Sequence, residues 1–499
     1  MFNDAPSLSS ALRAAFERHA AADRTALVFG DEPTSYAELG RRIDAMACAL
    51  RAWGVERGEP IALLVPRNVD AVVLFFAIIQ AGACACVLEP RLAAAEIGLR
   101  LAAVGVRKLV LDPAELPDAP ALAPSIDARA PADLLRAAGH AAAALDPPLA
   151  PEERAMMQFT SGSTGQPKGV LLSHANLLAN ARGVLAHTGT GPGDRLLHLM
   201  PLHHTNGINN QLIVPLLAGA SVVLVERFRA DAVADLIARH RPTYLTGVPT
   251  MYARMLPHLA DRSKLASLRF LRCGSAPITP TLHEQIEAAF GVPLVVSYGL
   301  SESTCTTTMN PPHARRIGSV GTVLDGQALR LFQANTTREV AAGSEGEVCI
   351  AGPCLMMGYV GAGAEQPVRD GWLRTGDVGR FDADGYLRIT GRIKDIIIRG
   401  GENIAPQSIE SVLATHASVK ACCVVAGPHA DLGEVPVAFV VLHDGRAATA
   451  AELQALVGAR LSRICVPAEL RFVDALPENA VGKLDRKALA QRLSAAPAR

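Results

Sequence analysis

Apolar positions recur at helical spacing over residues 8–19 and again over residues 36–53, where Ser35 supplies a capping hydroxyl. Short apolar runs at 25–29, 61–65, 108–111 and 221–224 predict strands, the last introduced by a turn at 216–219. Residues 71–88 carry no charge, a length at the lower edge of a bilayer span, but Gln80-Ala-Gly-Ala83 interrupts them. A buried helix ending at Gly82 and a short strand through Val87 are therefore predicted there instead. Helices alternating with strands imply an α/β fold, with parallel-rich sheets sandwiched by helices. The Ala/Pro-rich residues 113–151 show little pattern and read as a loose surface connection. The pattern changes near Arg392: helices are expected at 406–415 and 450–461, and strands at 421–426 and 437–442. That predicts a large N-terminal domain, residues 1–391, and a small mobile α+β domain, residues 392–499.

Charge and composition narrow this picture. Among 499 residues, 48 Lys and Arg balance 48 Asp and Glu, so a protein built to grip nucleic acid is excluded. Hydrophobic residues make up 49%, enough to supply a large core and to exclude wholesale disorder. The ten cysteines include Cys84 and Cys86 in one C-x-C and the adjacent Cys422 and Cys423, but no paired C-x-x-C. They read as small buried hydrophobes in a reducing compartment, not as a disulfide or metal framework. The N-terminus lacks the basic and apolar regions of a signal peptide. Together with the absence of an integral span, this predicts a cytoplasmic protein.

The most informative string is Thr160-Ser-Gly-Ser-Thr-Gly-Gln-Pro-Lys-Gly169. Glycines let a backbone curl so that N–H groups face an anion, hydroxyls add donors, and Lys168 adds a positive charge. No Gly-Lys-[Ser/Thr] follows at the Walker spacing. The order of residues resembles the signature of the adenylate-forming superfamily of acyl-CoA synthetases, adenylation domains and luciferases. Further strings follow in the family's order: Met200-Pro-Leu-His-His-Thr-Asn-Gly207, Thr246-Gly-Val-Pro-Thr250, Cys273-Gly-Ser-Ala-Pro277 and Ser297-Tyr-Gly-Leu-Ser-Glu302. Trp372-Leu-Arg-Thr-Gly-Asp377, Gly391-Arg-Ile-Lys-Asp395, Gly400-Gly-Glu-Asn403 and Pro477-Glu-Asn-Ala-Val-Gly-Lys483 complete the set.

The resemblance implies a two-step reaction: a carboxylic acid and ATP give an acyl-adenylate and pyrophosphate, then a thiol displaces AMP to form a thioester. Thr160, Ser161, Gly162, Ser163, Thr164, Gly165 and Lys168 would hold the phosphates. Glu302 would hold Mg²⁺, and Ser301 would touch the α-phosphate. Asp377 and Arg392 would bind the ribose. Tyr298 would stack on adenine, with Ser275, Ala276, Pro277, Ser297 and Gly299 around it. Ser297 replaces the amide side chain of many relatives, leaving adenine recognition there to backbone groups. His204 would meet the substrate carboxylate; His203 adjoins it, and only one of the two can face the acid. Asn206, Gly207, Gly247, Val248 and Ser275 would line the acid's pocket. Lys483 would bridge the attacking carboxylate and the α-phosphate as the main catalytic residue of the first step. The small domain would turn about Lys394, after which Gly400, Gly401 and Glu402 would face the thiol tunnel.

The pocket strings are too polar for a long fatty chain and point to a small, aryl or dicarboxylic acid. Arg315 and Arg316 could pair with a second carboxylate, although a surface role is the reading preferred here. CoA is the expected acceptor. The alternative is the phosphopantetheine of a carrier protein, and a non-catalytic nucleotide-binding module conflicts with the presence of Glu302, Asp377 and Lys483 together.

Overall fold

The computed structural model describes residues 5–90, 92–112, 125–138, 148–161, 167–334, 336–361, 366–478 and 484–494. Local chemistry starts the helices where the sequence predicts. Ser35 Oγ accepts from the Glu38 amide at 3.1 Å and opens helix Tyr36–Ala52. Asn68 caps helix Val69–Gln80 in the same way at 3.0 Å. The charge-free run is thus a buried helix followed by strand Cys84–Val87. Among the described residues no helix is long and apolar enough to cross a membrane.

Among the described residues, two large sheets form the body. One runs in the order Thr322–Val323, Thr308–Met309, Leu294–Tyr298, Phe270–Cys273, Tyr244–Gly247, Arg195–His198, Ser221–Leu224, Thr25–Phe29 and Glu32–Ser35. Its six central strands are parallel. The other runs Gly358–Val360, Pro167–Ser173, Arg154–Ser161, Cys84–Val87, Pro60–Leu64, Lys108–Leu111 and Asp127–Arg129. A shared apolar cluster, with Leu27, Leu196 and Val222 from the first sheet and Ile61, Ala85 and Met156 from the second, fills the space between them. Separate clusters cover each sheet's other face. Burial on both faces is what the unbroken apolar strands require.

Part of the stretch expected to be a loose connection is ordered structure. Asp127–Arg129 adds a parallel edge strand beside Lys108–Leu111, and Pro131–Ala138 is a helix whose Leu134 is buried. Asp127 accepts from the Trp53 indole at 2.7 Å, which fixes the edge. A three-residue strand with mostly exposed side chains has no apolar alternation to reveal it.

A third sheet, Ala328–Phe332, Gly346–Ala351, Trp372–Phe381 and Val368–Arg369, also pairs with Leu387–Arg392. Beyond it, Glu402–Ile404, Ile397–Arg399, Gly433–Leu442 and Val419–His429 form a fourth sheet, with Glu469–Phe472 parallel to Gly433–Leu442. Its two apolar clusters draw only on residues from Ile397 onward, one under helices Pro406–Leu413 and Ala450–Arg460 and the other under Leu489 of helix Arg486–Ser494.

Candidate active site

The two large sheets meet at the carboxyl ends of their parallel strands. Arg67, just past strand Pro60–Leu64, donates to the His198 carbonyl at 2.6 Å and the Leu199 carbonyl at 3.1 Å. Gln158, on strand Arg154–Ser161, donates to the His203 carbonyl. Crevices outside the carboxyl ends of parallel strands are where α/β folds place ligands.

Among the residues expected at the phosphates, strands Arg154–Ser161 and Pro167–Ser173 form an antiparallel hairpin that sets Thr160 opposite Lys168. Ser161 ends the first strand; Gly162, Ser163, Thr164 and Gly165 lie outside the described residues. The Lys168 ammonium stands 5.2 Å from the centre of the Tyr359 ring. The Tyr359 hydroxyl donates to Glu302 Oε1 at 2.6 Å. Burial first, and then the Glu302 charge, push the Tyr359 phenol far above its ordinary range, so it remains a donor. Glu302 sits on the turn Ser301–Ser303, whose carbonyl at 302 accepts from the Met356 amide at 2.9 Å. The next two residues hold non-glycine backbone at positive φ, Thr304 at 61° and Cys305 at 111°. Such strain persists only where the surroundings enforce it.

Among the residues expected at the nucleoside, Asp377 and Arg392 are partners across neighbouring strands. Arg392 Nε donates to Asp377 Oδ1 at 2.6 Å and the Tyr298 hydroxyl donates to Oδ2 at 2.7 Å. Asp377 is only 2% exposed, so these two donors are what make its burial tolerable. Burial and the Asp377 charge hold the Tyr298 phenol far above its usual range. Ser297 Oγ donates to the Cys273 carbonyl at 3.4 Å. Ser275 has φ of 66° and accepts from Asn206 Nδ2 at 3.4 Å; Ala276 and Pro277 continue its loop. Gly299 packs so closely on the Cys305 carbonyl that a Cβ would collide with it.

Among the residues expected at the acid, Asn206–Ile213 form a π-helical turn, an irregularity common at functional sites. Gly207 presses on the Pro201 carbonyl where no side chain fits. The His203 and His204 rings pack 4.7 Å apart, and the His204 carbonyl accepts from the Ile208 amide at 3.2 Å, tying it to the turn. Thr205 Oγ1 lies 3.5 Å from Ser301 Oγ, linking this turn to the Glu302 segment. Gly247 ends strand Tyr244–Gly247 against the Tyr252 ring, whereas Val248 is buried in the apolar cluster on the sheet's other face. Val248 is therefore not brought to the same face as Asn206.

Several contributors escaped the sequence reading. His198 donates from Nε2 to the Gly207 carbonyl at 2.8 Å while its Nδ1 faces Arg67, which settles its tautomer. Burial first, then Arg67, hold it neutral, well below its ordinary pKa. Burial also lowers Arg67, to about 9. Tyr359 and Arg272 were likewise missed. The one legible hint for Arg272 is a charged residue inside the otherwise apolar strand Phe270–Cys273. Arg315 is held by Glu287, and Arg316 by Asp382 at 2.7 Å and Asp384 at 2.5 Å, so both are engaged on the surface.

Lys394 is exposed in the turn Ile393–Asp395 that follows the Arg392 strand. Gly400, φ 56°, and Gly401, φ 88°, form the two-residue turn between strands Ile397–Arg399 and Glu402–Ile404, a backbone that glycine adopts readily. Glu402 is exposed. Lys483 lies outside the described residues. Glu478, ahead of it, accepts from Arg254 at 2.6 Å, an ion pair to helix Pro249–Met255. All ten cysteines are free, and among the described residues no cluster of three or more His, Cys, Asp or Glu is set to hold a metal.

Comparison with known proteins agrees with this geometry. Residues 13–360 match the model of the AMP-binding enzymes, and residues 408–483 match the AMP-binding enzyme C-terminal domain. A sulfoacetate–CoA ligase from Cupriavidus necator is 40% identical over 356 residues, covering 70% of this chain and 69% of that one. A feruloyl-CoA synthase from Amycolatopsis is 36% identical over 465 residues, covering 92% and 94%. The crystal structure of ATP-bound MatB from Rhodopseudomonas palustris superposes with a TM-score of 0.89 at 30% identity, covering 98% and 99% of the two chains. With the ordered motifs, the paired carboxylate and hydroxyl groups and these matches in agreement, the chain belongs to the AMP-binding enzymes, the adenylate-forming superfamily that includes the acyl-CoA synthetases.

Proposed function

We propose a division of labour among the residues of this site, for an enzyme that is an ATP-dependent, AMP-forming acid–CoA ligase. ATP and CoA are its co-substrates. The observation that carries the assignment of roles is the chain Lys168–Tyr359–Glu302, in which one phenol joins the phosphate-loop cation to an acid on the turn Ser301–Ser303.

A carboxylate is a poor electrophile and is repelled by a triphosphate. The protein's task is to neutralise both and to align one carboxylate oxygen with the α-phosphorus. Thr160, Ser161 and Lys168 would bind the β- and γ-phosphates with the glycine-rich tip. Asp377 would accept from the ribose hydroxyls, with Arg392 and Tyr298 holding its carboxylate in place. Ser301 and Thr205, side by side, would meet the α-phosphate and the acid. His204 would steer the acid's carboxylate from the foot of the π-turn.

Glu302 fits Mg²⁺: a single oxygen donor beside phosphate oxygens is how this ion commonly sits, and no protein cage is needed. When bound, the ion neutralises triphosphate charge. Lys483 would place its ammonium between acid and α-phosphate, where charge builds as the P–O bond to pyrophosphate breaks. Domain 392–499, turning about Lys394, would then withdraw it and bring Gly400, Gly401 and Glu402 to the thiol path. CoA sulfur would attack the acyl carbon and AMP would leave. Free CoA, not a carrier protein, is the acceptor proposed, and the cytoplasm is the compartment. The named relative that acts on sulfoacetate favours a small acid with a second anion.

A pyrophosphate-release screen over short, aryl and dicarboxylic acids, with CoA or a holo-carrier added afterwards, tests the reading. Thioester formation on free CoA is expected; a strict need for holo-carrier overturns the acceptor assignment. Lys394→Pro, which fixes φ, is expected to spare pyrophosphate release and to cripple thioester formation, and an undiminished second step overturns the hinge.

A further inference from the structure

We infer that Arg272 binds a second anionic group, a carboxylate or sulfonate, carried by the acid that the enzyme activates. This rests on the acid–CoA ligase reading and names the substrate class that reading leaves open.

His198, Thr246, Arg272 and Val295 are register partners across four adjacent parallel strands, so their side chains share one face of the sheet. That face is the one turned to the acid side, because His198 Nε2 reaches the Gly207 carbonyl of the π-turn. The alternation along the strand agrees. Leu271 and Cys273 point into the apolar cluster on the opposite face, and Phe270 stacks on Tyr244 at 5.0 Å on the same face as Arg272.

Arg272 is 1% exposed, and its Nε and Nη2 have no hydrogen-bond partner among the described residues. Thr246 Oγ1, its neighbour in the row, is likewise buried without a partner. The titratable groups whose charge acts on the guanidinium are Tyr244, Cys305 and Tyr252, none of them a carboxylate. An arginine stays charged at any ordinary pH, and holding one unpaired in an apolar interior costs several kcal/mol. A methionine of similar volume would pack there at far smaller cost. The charge and the adjoining hydroxyl together form a donor set complementary to a planar or tetrahedral oxyanion. Asn206, linked to Ser275 at the end of the Arg272 strand, ties this row to the segment that would hold the reacting carboxylate. Arg315 and Arg316 offer no alternative, since Glu287, Asp382 and Asp384 already neutralise them.

The test compares kcat/KM for malonate, succinate and their sulfonate analogues with that for butyrate and valerate, each in the coupled pyrophosphate and thioester assays. Wild-type enzyme should prefer the dianionic acids, and comparison of carboxylate with sulfonate shows which group the row favours. In Arg272→Met the ratio of dianionic to monoanionic acid should fall by about 30-fold or more, and Arg272→Lys should retain part of it. The ratio is read within one preparation, so a reduced folded fraction cancels. Should Arg272→Met fail to fold, Thr246→Val, which keeps the side chain's shape, should lower the same ratio by several-fold. Wild-type preference for the monoanionic acids, or an unchanged ratio in the variants, overturns the inference. Failure of every acid to release pyrophosphate and form a thioester overturns the ligase reading instead.

Discussion

The half of this site proposed for the nucleotide (the nucleotide half) and the half proposed for the acid (the acid half) handle charge in opposite ways. On the nucleotide half two acids already have protein partners: buried Asp377 is held by Arg392 and Tyr298, and half-buried Glu302 by Tyr359. On the acid half Arg272 is buried with Nε and Nη2 unpartnered among the described residues. ATP is the same molecule in every turnover, so its cradle can be built and satisfied in advance, which is what electrostatic preorganisation requires. A pocket that must choose one acid among many gains selectivity by leaving a buried polar group for that acid alone to satisfy. On the roles proposed above, pairing would mark the constant part of the chemistry, and unpaired charge the part that sets specificity.

The sharpest way to break this contrast is to remove the one charge that the nucleotide half would gain only in the transition state. Lys483→Ala is expected to slow acyl-adenylate formation by about 10²–10³ or more, the scale of losing a donor aimed at developing charge. A supplied acyl-adenylate should still pass to CoA at close to the wild-type rate, measured by thioester release. Equal loss of both steps would show that Lys483 serves the fold or the thiol step and not the first transition state.

Asp377→Asn comes next. It preserves shape but removes the charge that Arg392 and Tyr298 hold. KM for ATP should rise by about 30-fold or more. The preference between dianionic and monoanionic acids should stay where it was, since Arg272 lies on a different sheet from Asp377. A shift in that preference would join the two halves into one electrostatic unit and dissolve the contrast.

How much of this was visible in the sequence differs between the halves for the same reason. Asp377 and Arg392 lie on consecutive strands of a hairpin, and each falls within a short string of its own. Tyr359 meets Glu302 only because Gly358–Val360 adds to the edge of the Pro167–Ser173 hairpin, a pairing between segments nearly two hundred residues apart that no local pattern encodes. Arg272 is visible as a charge in an apolar strand, but its lack of a partner is a property of the packed sheet. The edge strand Asp127–Arg129 was hidden because it is short and mostly exposed, and tertiary contact, not propensity, makes it a strand.

Tyr359→Phe gives a smaller effect and sharpens the claim that the nucleotide half is preassembled. The ring that faces Lys168 remains, and only the hydrogen bond to Glu302 is lost. A hydrogen bond to a charged group typically contributes about 1.5 kcal/mol or more, so kcat/KM for ATP should fall at least about tenfold. The loss should appear as a higher Mg²⁺ requirement at fixed ATP, because the freed carboxylate is less well placed. An unchanged magnesium titration would detach Tyr359 from the metal-binding role proposed for Glu302.

The smallest effect is expected where the halves meet through the segment ahead of Lys483. Arg254 and Glu478 form an ion pair at 2.6 Å between helix Pro249–Met255, which follows strand Tyr244–Gly247, and the segment ahead of Lys483. Both side chains are substantially exposed, at 55% and 31%, and such pairs typically contribute about 0.2–1 kcal/mol. A double-mutant cycle of Arg254→Ala and Glu478→Ala on the adenylation rate should therefore give a coupling of no more than about fivefold. At about 1 M salt the coupling should vanish, because the screening length shrinks to about 3 Å. The second half-reaction should not feel the pair at all if the small domain has by then turned away. A coupling of equal size in thioester formation would mean that the contact survives domain rotation, and the segment would then hold the acid half together in both steps instead of latching only the first.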